Sequence, residues 1–231
     1  MTYEDVSVVM ISMDEEGSIE KVLADIERDL PGAEVLLVDS SKDRTPELAE
    51  RHGARVIRQF PPQGYGPAMQ RALLTPQRDI VVTLDCDDTY PTERLPELVA
   101  GCRNGHDIVG TTRLAAGRPG AMPWPNYVAN LAFNVVASLL FGRRVRDVHT
   151  GMRAYRRSLL HAVRWRAQGA ALPVELLLVP MRLGYRVREV PIPYRERVGQ
   201  STLQKWDSTK WTFKRILRSR FAPARELHHA G

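Results

Sequence analysis

Val81-Val82-Thr83-Leu84-Asp85-Cys86-Asp87-Asp88 decides the reading of this chain, because an apolar, β-branched run passes directly into three carboxylates. Such a run favours a central strand, and like charges gathered at its end are unfavourable unless a cation or a dense hydrogen-bond network balances them. Carboxylate oxygens suit Mg²⁺ or Mn²⁺, ions that keep a few protein ligands and leave other positions to water and substrate phosphates. Asp85, Asp87 and Asp88 therefore point to a divalent cation and a diphosphate-bearing ligand. A plainer reading stands beside this one. Asp-rich turns also form loops and cap helices, and Asp88-Thr89 precedes a helical pattern through Leu95, Leu98 and Val99. Capping accounts for one carboxylate, not three.

Upstream of this stretch, strands and helices alternate. Residues 6–11 and 34–38 read as strands, 54–57 as a short one and 80–84 as the strand already quoted. Residues 15–30 carry Ile19, Val22, Leu23 and Ile26 at helical spacing and stop at Pro31-Gly32, and helices are also expected over 45–52 and 67–74. Near-continuous apolar strands separated by amphipathic helices predict an α/β fold, a mostly parallel central sheet flanked by helices, with ligands at the carboxyl ends of the strands. Polar residues fall at those ends: Asp14 and Glu15 after the first strand, Asp39, Ser40 and Ser41 after the second, and residues 85–88 after the fourth. Gly-x-Gly-x-x-Gly does not follow the first strand and no Gly-x-x-x-x-Gly-Lys-Ser/Thr loop occurs, which argues against both common nucleotide-binding domains.

With 231 residues and 43% hydrophobic content the chain can bury one large core, and no repeat or low-complexity tract divides it. Its two cysteines, Cys86 and Cys102, suggest neither a disulfide framework nor a zinc site. The first residues, Met1-Thr2-Tyr3-Glu4-Asp5, lack a positive leader and a long apolar stretch, so a cytoplasmic location is expected. Charge is uneven: residues 1–142 hold 13 Lys and Arg against 21 Asp and Glu, whereas residues 143–231 hold 20 against 6. The cationic part implies an anionic partner, whether donor phosphates, an acidic acceptor, a membrane surface or nucleic acid.

In combination, the pattern resembles family 2 glycosyltransferases of the GT-A (Rossmann-like) fold, particularly the polyprenol-phosphate, dolichol-phosphate mannose synthase-like branch. The likeness runs from about residue 6 to 203 as an order of motifs. Met13-Asp14-Glu15-Glu16 resembles the family's Asn-Glu-Glu loop with Asp14 in place of Asn, and the segment from Asp39 to Thr45 resembles a compact form of its Asp-rich Ser-x-Asp-x-Thr segment. Gly64-Tyr65-Gly66-Pro67-Ala68 resembles the Gly-x-Gly-x-Ala turn, and Gly110-Thr111-Thr112-Arg113 the Gly-x-Arg strand end. The segment from Asp147 to Tyr155 resembles Asp-x-x-Ser-Gly-Phe/Met-Arg-Ala on the acceptor side. The segment from Glu189 to Ser201 resembles the Glu-Val-Pro-Ile-x-Tyr strand and Arg-x-x-Gly-x-Ser-Lys loop, with Thr202 where the Lys is usual. Arg197 or Lys205 is then the source of that charge.

The resemblance implies a GT-A catalytic domain over 1–203 with a basic amphipathic extension over 204–231. It implies a nucleotide-diphosphate sugar bound through Asp14, Glu15, Asp39, Ser41, Gly64, Gly66, Asp85, Arg153 and Ser201, and Mg²⁺ or Mn²⁺ held by Asp85 and Asp87. Arg113 and Arg197 are the expected phosphate-side cations, and Asp87 serves catalysis as well as the metal. The implied reaction is inverting hexosyl transfer, in which preorganised charge offsets the leaving nucleoside diphosphate. A polyprenyl phosphate acceptor is already anionic, and Asp147 would then position the acceptor or the sugar, whereas a soluble hydroxyl acceptor such as a metabolite or antibiotic precursor needs a general base, for which Asp147 is the candidate. A third reading, from another class, is a non-catalytic sugar-nucleotide or nucleic-acid binder. Asp85-x-Asp87 argues against the silent form, and the lack of a recognised nucleic-acid module argues against the other.

Residues 127–141 are mostly apolar yet fall short of the roughly 20 needed to span a bilayer, so they read either as a core helix or as an interfacial one presenting Leu131, Phe133, Leu139, Leu140 and Phe141 to lipid. The tail interleaves Trp206, Trp211, Phe213, Ile216, Leu217 and Phe221 with Lys205, Lys210, Lys214, Arg215, Arg218 and Arg220. That composition suits an anionic membrane surface, with contact peripheral, or a homo-oligomer interface.

Overall fold

The computed structural model of the chain describes residues 2–166, 169, 171–198 and 205–228, with the backbone alone for 205–208. The first half alternates as its periodicity predicts: β1 (Val6–Ser12), α1 (Ile19–Asp29), β2 (Glu34–Asp39), α2 (Thr45–Arg51), β3 (Arg55–Arg58), α3 (Tyr65–Leu74) and β4 (Ile80–Thr83). The second half adds α4 (Leu95–Arg103), β5 (Ile108–Thr112), α5 (Trp124–Phe141), β6 (Arg153–Arg156), α6 (Arg157–Ala162), α7 (Leu172–Arg182), β7 (Val187–Pro191) and α8 (Lys205–Phe221). The sheet order is β3-β2-β1-β4-β6-β5-β7, and only β6 runs antiparallel to its neighbours. The chain leaves β1 toward β2 and β3, then returns to place β4 on the other side of β1. That reversal opens a crevice at the carboxyl ends of β1 and β4, where open α/β sheets bind ligands.

Every residue of β4 is buried, with Val81 and Val82 fully so. Fully burying a valine contributes about 1.5–3 kcal/mol relative to leaving it exposed, so the strand that carries the acidic run is anchored from both faces. Val82 packs in the cluster beneath α1 and α4, and Val81 in the one beneath α3, α6 and α7. A third cluster joins α5, α7 and α8 through Ala137, Val145, Val174, Leu177, Leu178 and Ile216.

Several boundaries differ from their sequence expectations. The helix expected over 15–30 begins only at Ile19: the Ser18 and Ile19 amides bond to the Glu15 carbonyl, while the amides of residues 14–16 donate across to Ser41, Thr45 and Asp43. Asp88 and Thr89 cap no helix: α4 starts at Leu95 after a 3₁₀ turn over Thr92–Arg94, with Arg94 at its N-cap. Helix α5 divides its apolar residues between two faces. Of the residues the interfacial reading would present outward, Phe133, Leu140 and Phe141 pack against the third cluster, as the core-helix reading has it, while Leu131 and Leu139 are exposed. Among the tail residues, Ile216 and Arg215 are buried and Trp211, Phe213 and Phe221 exposed. No helix among the described residues is long and apolar enough to cross a membrane.

Candidate functional site

Three loops meet at the carboxyl ends of β2, β1 and β4, and backbone-to-side-chain bonds lace them together. The register pairs Ser12 with Asp39, so the Ser12 hydroxyl donates to Asp39 Oδ1 at 2.6 Å. Asp39 is fully buried and also accepts from the Ser41 amide and hydroxyl, and Arg58 at the end of β3 closes an ion pair on it. The Asp14 amide donates to Ser41 Oγ at 2.9 Å, and the Lys42 amide returns a bond to Asp14 Oδ1 at 2.7 Å. Asp14 sits at φ +59°, a conformation that Asp tolerates better than most residues. The Glu15 amide donates to Thr45 Oγ1 at 2.9 Å. Asp14, Glu15, Asp39 and Ser41 are thereby brought together as the sequence anticipates.

The loop after β4 faces them. Asp87 Oδ1 accepts from the amide and hydroxyl of Thr89, at 3.2 and 2.6 Å. Segment 195–198 zips along this loop through Arg195 N to Thr89 O at 3.0 Å and Val198 N to Asp87 O at 3.1 Å. This zipper delivers Arg197, whose guanidinium donates to Asp87 Oδ2 at 2.8 Å and forms a second ion pair with Glu15. Asp88, at φ +59°, receives Lys21 at 2.7 Å and lies 3.7 Å from Arg195. Asp85 has no hydrogen-bond or ion-pair partner among the described residues, although Asp87 is its neighbour in the same loop. Burial first, and then Asp87, push its carboxyl up to about 7 against the pull of Arg113 and Arg197. Burial likewise raises Glu15 to about 7, with Arg197 opposing and Asp87, Asp43 and Asp14 adding to the rise.

Beyond β4 the chemistry changes from excess charge to closed pairs. Asp147 is fully buried and grips Arg113 bidentately, from Nε at 2.8 Å and from the second guanidinium nitrogen at 2.9 Å. Burial raises the Asp147 carboxyl, but Arg113 outweighs it and holds the group below its ordinary value. Arg113 also lies 5.1 Å over the ring of Tyr194, which meets Tyr90 edge-on at 5.8 Å between centroids. Asp147 Oδ1 accepts from the His149 amide, and the His149 ring bridges Asn130 of α5 and Thr212 of α8, each at 2.8 Å. Burial, opposed by Asp147, lowers this imidazole to about 4 and keeps it neutral. Arg153, expected at the donor, is buried instead, and its guanidinium donates to the backbone carbonyls of Pro173, Val148 and Asp147. Asp147, the base expected for a hydroxyl acceptor, has both of its oxygens engaged, by Arg113 and by the His149 amide.

Gly64 caps α3 at φ +94°, a region that favours glycine, and Gly66 is buried in the first turn of that helix. Between them Tyr65 is partly buried in the field of Asp85, and desolvation raises its hydroxyl. Ser201 and Thr202 lie outside the described residues, and Lys205 is described by backbone alone.

Residues 7–164 match the family described as Glycosyl transferase family 2. The chain belongs to this family. A dolichyl-phosphate hexose transferase of Haloferax volcanii is 51% identical over 203 residues, covering 87% of this chain and 88% of the relative. An undecaprenyl-phosphate mannosyltransferase of Micrococcus luteus is 28% identical over 187 residues, covering 75% and 77%. Among solved structures, glucosyl-3-phosphoglycerate synthase of Mycobacterium tuberculosis, determined with Mn²⁺, UDP and glucosyl-3-phosphoglycerate, superposes with a TM-score of 0.73 at 23% identity. The superposition covers 94% of this chain and 80% of that one, and it shows the GT-A fold. The protein is a glycosyltransferase.

As a family 2 glycosyltransferase the chain offers a metal two carboxylates rather than a cage: among the described residues no group of three His, Cys, Asp or Glu side chains is arranged to hold one. Asp85 and Asp87 nevertheless fit Mg²⁺ or Mn²⁺, because such ions use one or two carboxylates plus substrate phosphates and Asp85 stands without a counter-charge of its own. Gly151 is part of that fit. A Cβ there would come within 2.8 Å of Asp85 Oδ2, so only glycine lets the carboxylate lie against this loop. Sequence reasoning named no role for Gly151, Tyr90, Tyr194, Arg58, Lys21 or Arg195. The quoted motifs contain Gly151, Tyr194 and Arg195, whereas Arg58 and Lys21 carried no signal, being single cations on a strand end and a helix face.

Proposed function

We propose that this glycosyltransferase moves a hexose from a nucleotide-diphosphate sugar to a polyprenyl phosphate, with inversion at the anomeric carbon and with Mg²⁺ or Mn²⁺. The observation that carries the reading is Asp85, a half-buried carboxylate beside Asp87 with no hydrogen-bond or ion-pair partner among the described residues. Asp85 and Asp87 hold the cation, which when bound neutralises charge developing on the departing diphosphate. Arg197 sits on the same rim between Glu15 and Asp87 and stands beside the donor phosphates as the chain's own cation. The laced loops of Asp14, Glu15, Asp39 and Ser41 position the nucleoside, fixed in advance by bonds that a mobile loop would have to form on binding.

Two facts support a phosphate over a hydroxyl acceptor. The curated relative with 51% identity is named for dolichyl phosphate. Asp147, the candidate base, is closed onto Arg113, and an acceptor that is already anionic needs no base. The test is to offer UDP-glucose or GDP-mannose with Mn²⁺ and a polyprenyl phosphate, then separate labelled lipid from water-soluble products. Labelled glycolipid of inverted configuration, lost on chelation, is the expected result. Label appearing only in soluble products would sink the acceptor assignment, and undiminished transfer in EDTA would sink the metal.

A further inference from the structure

Asp87 and Asp85 are oriented by different means. Asp87 is held directly, its Oδ1 accepting from the amide and hydroxyl of Thr89 and its Oδ2 from Arg197. Asp85 has no such bond among the described residues, so its orientation rests on what it lies against. That surface is Gly151: a Cβ placed there would meet Asp85 Oδ2 at 2.8 Å, Oδ1 at 3.0 Å and Cγ at 3.1 Å, so the whole carboxylate faces the glycine. The backbone of Gly151 is in turn held from both sides. Its amide donates to the Tyr90 hydroxyl at 2.7 Å, and its carbonyl accepts from the Thr83 hydroxyl at 2.6 Å. Thr83 is the last residue of β4 and Tyr90 lies in the loop that follows, so the segment carrying Asp85 grips, from either side of Asp85, the glycine on which Asp85 rests. The residues flanking the glycine are fixed as well. Thr111 of β5 donates to the Met152 carbonyl at 2.9 Å, which leaves Thr150 as donor of the 2.6 Å bond between the two threonine hydroxyls. Tyr90, Thr83, Thr111 and Thr150 are all buried, and Tyr194 braces Tyr90 edge-on. A satisfied buried network of this kind makes its segment rigid.

We propose that Tyr90 and Thr83 are positioning residues for the metal: by clamping Gly151 they set the place and tilt of the Asp85 carboxylate, and through it the affinity of the site for Mg²⁺ or Mn²⁺. The inference rests on the function proposed above, in which Asp85 and Asp87 hold the cation. Ligating carboxylates are usually oriented by outer hydrogen bonds, and their loss weakens metal binding. A hydrogen bond to Asp85 would occupy lone pairs that the ion needs, since an ionised carboxylate offers only acceptor sites. A wall of bare backbone orients the group by shape and leaves both oxygens open. Tyr90 and Thr83 therefore act at one remove, through the glycine, and touch neither the cation nor the donor.

Titration of the full chain with Mn²⁺ in the presence of saturating UDP or GDP, with the free ion followed by electron paramagnetic resonance, tests the proposal without turnover. The parent is expected to bind Mn²⁺ and Asp85→Asn to lose it. Tyr90→Phe keeps the ring against Tyr194 and should weaken Mn²⁺ binding about 10–100-fold. Thr83→Val should weaken it in the same way, and Thr83→Ser, which keeps the hydroxyl, should bind more tightly than Thr83→Val. Gly151→Ala is the second route to the same displacement. Gly151 does not adopt a positive φ, and the atoms its methyl would meet are the flexible end of Asp85, so this variant should fold, as its melting temperature will show, and move the carboxylate. Nucleotide affinity in EDTA should stay at the parent value in every variant, which a general loosening of the crevice would not allow. Parental Mn²⁺ affinity in folded Tyr90→Phe and Gly151→Ala overturns the proposal, as does an equal loss of nucleotide affinity in EDTA. Mn²⁺ binding that Asp85→Asn abolishes but Tyr90→Phe and Gly151→Ala leave unmoved overturns the clamp alone and leaves the metal reading standing. A parent that takes up no Mn²⁺ with either nucleotide overturns the metal reading, and the clamp with it.

Discussion

The two sides of the crevice treat buried charge in opposite ways. On the β1 and β4 side, Asp87 and Glu15 share one guanidinium, that of Arg197, Asp85 has no ion-pair partner among the described residues, and Asp85 and Glu15 are pushed up to about 7. On the β5 and β6 side, Asp147 is matched one to one by Arg113, and the acid is held low. The contrast teaches that a charge-bearing side chain near a cleft is no guide to chemistry until its partners are counted. An under-compensated carboxylate costs the apo fold and is open to a ligand, whereas a compensated one belongs to the architecture.

The largest expected effect is on the compensated side. Asp147→Ala leaves Arg113 buried without its partner and should cost about 3–5 kcal/mol of stability, read by urea denaturation. A loss under about 1 kcal/mol would mean that Arg113 is solvated and the clasp is not closed. Next comes Asp85→Asn, expected to lower turnover about 10²–10³-fold while the melting temperature at pH 8 stays level or rises. The sign follows from the raised carboxyl: its burial is unfavourable when ionised, so that penalty is fully present above about 7 and fades as pH falls toward the unfolded value. Collapse of the Asp85→Asn fold would place Asp85 with Asp147 and erase the contrast.

A smaller effect distinguishes the imidazole that joins the clasp to α5 and α8. Because burial lowers His149 to about 4, the native state binds fewer protons than the unfolded chain between that pH and the ordinary histidine value near 6.5. Its contribution is complete above about 6.5 and lost as pH falls to about 4, by up to about 3 kcal/mol. His149→Gln should flatten that part of the stability profile relative to the parent, and coincident profiles would contradict a neutral buried ring. The smallest change is Lys21→Ala, which removes an exposed partner of Asp88 and should shift stability by less than about 1 kcal/mol.

What the sequence made legible follows the same division. Strand ends announce themselves, because an apolar run that stops at Asp39 or Asp85 is a local pattern, and the under-compensated carboxylates sit at such ends. Compensation is not local. Asp147 finds Arg113 across 34 positions and Arg153 meets the carbonyl of Pro173 across 20, so Asp147 and Arg153 read as candidates for chemistry until the fold shows their partners. The phase of α5 was hidden for another reason. A helix apolar on nearly every side gives no moment to follow, and only its neighbours α7 and α8 decide that Phe133 turns inward while Val135 and Leu139 face out. The antiparallel insertion of β6 between β4 and β5 is likewise invisible to periodicity, which reports a strand but not its direction.

Glu175 adds the dimension of time. This carboxylate is fully buried in α7 and is neutralised by Arg215 and Arg218 of α8, the first of them 40 residues further along the chain. At roughly 5–20 residues per second, synthesis leaves Glu175 without its counter-ions for about 2–8 s after it is made. Through that interval the β1 to β4 half can already close around its own cluster, whereas α7 cannot settle with an ionised acid in an apolar setting. Assembly is therefore expected to run from the β1 to β4 half toward α7, with α8 arriving as the piece that supplies the counter-ions of Glu175.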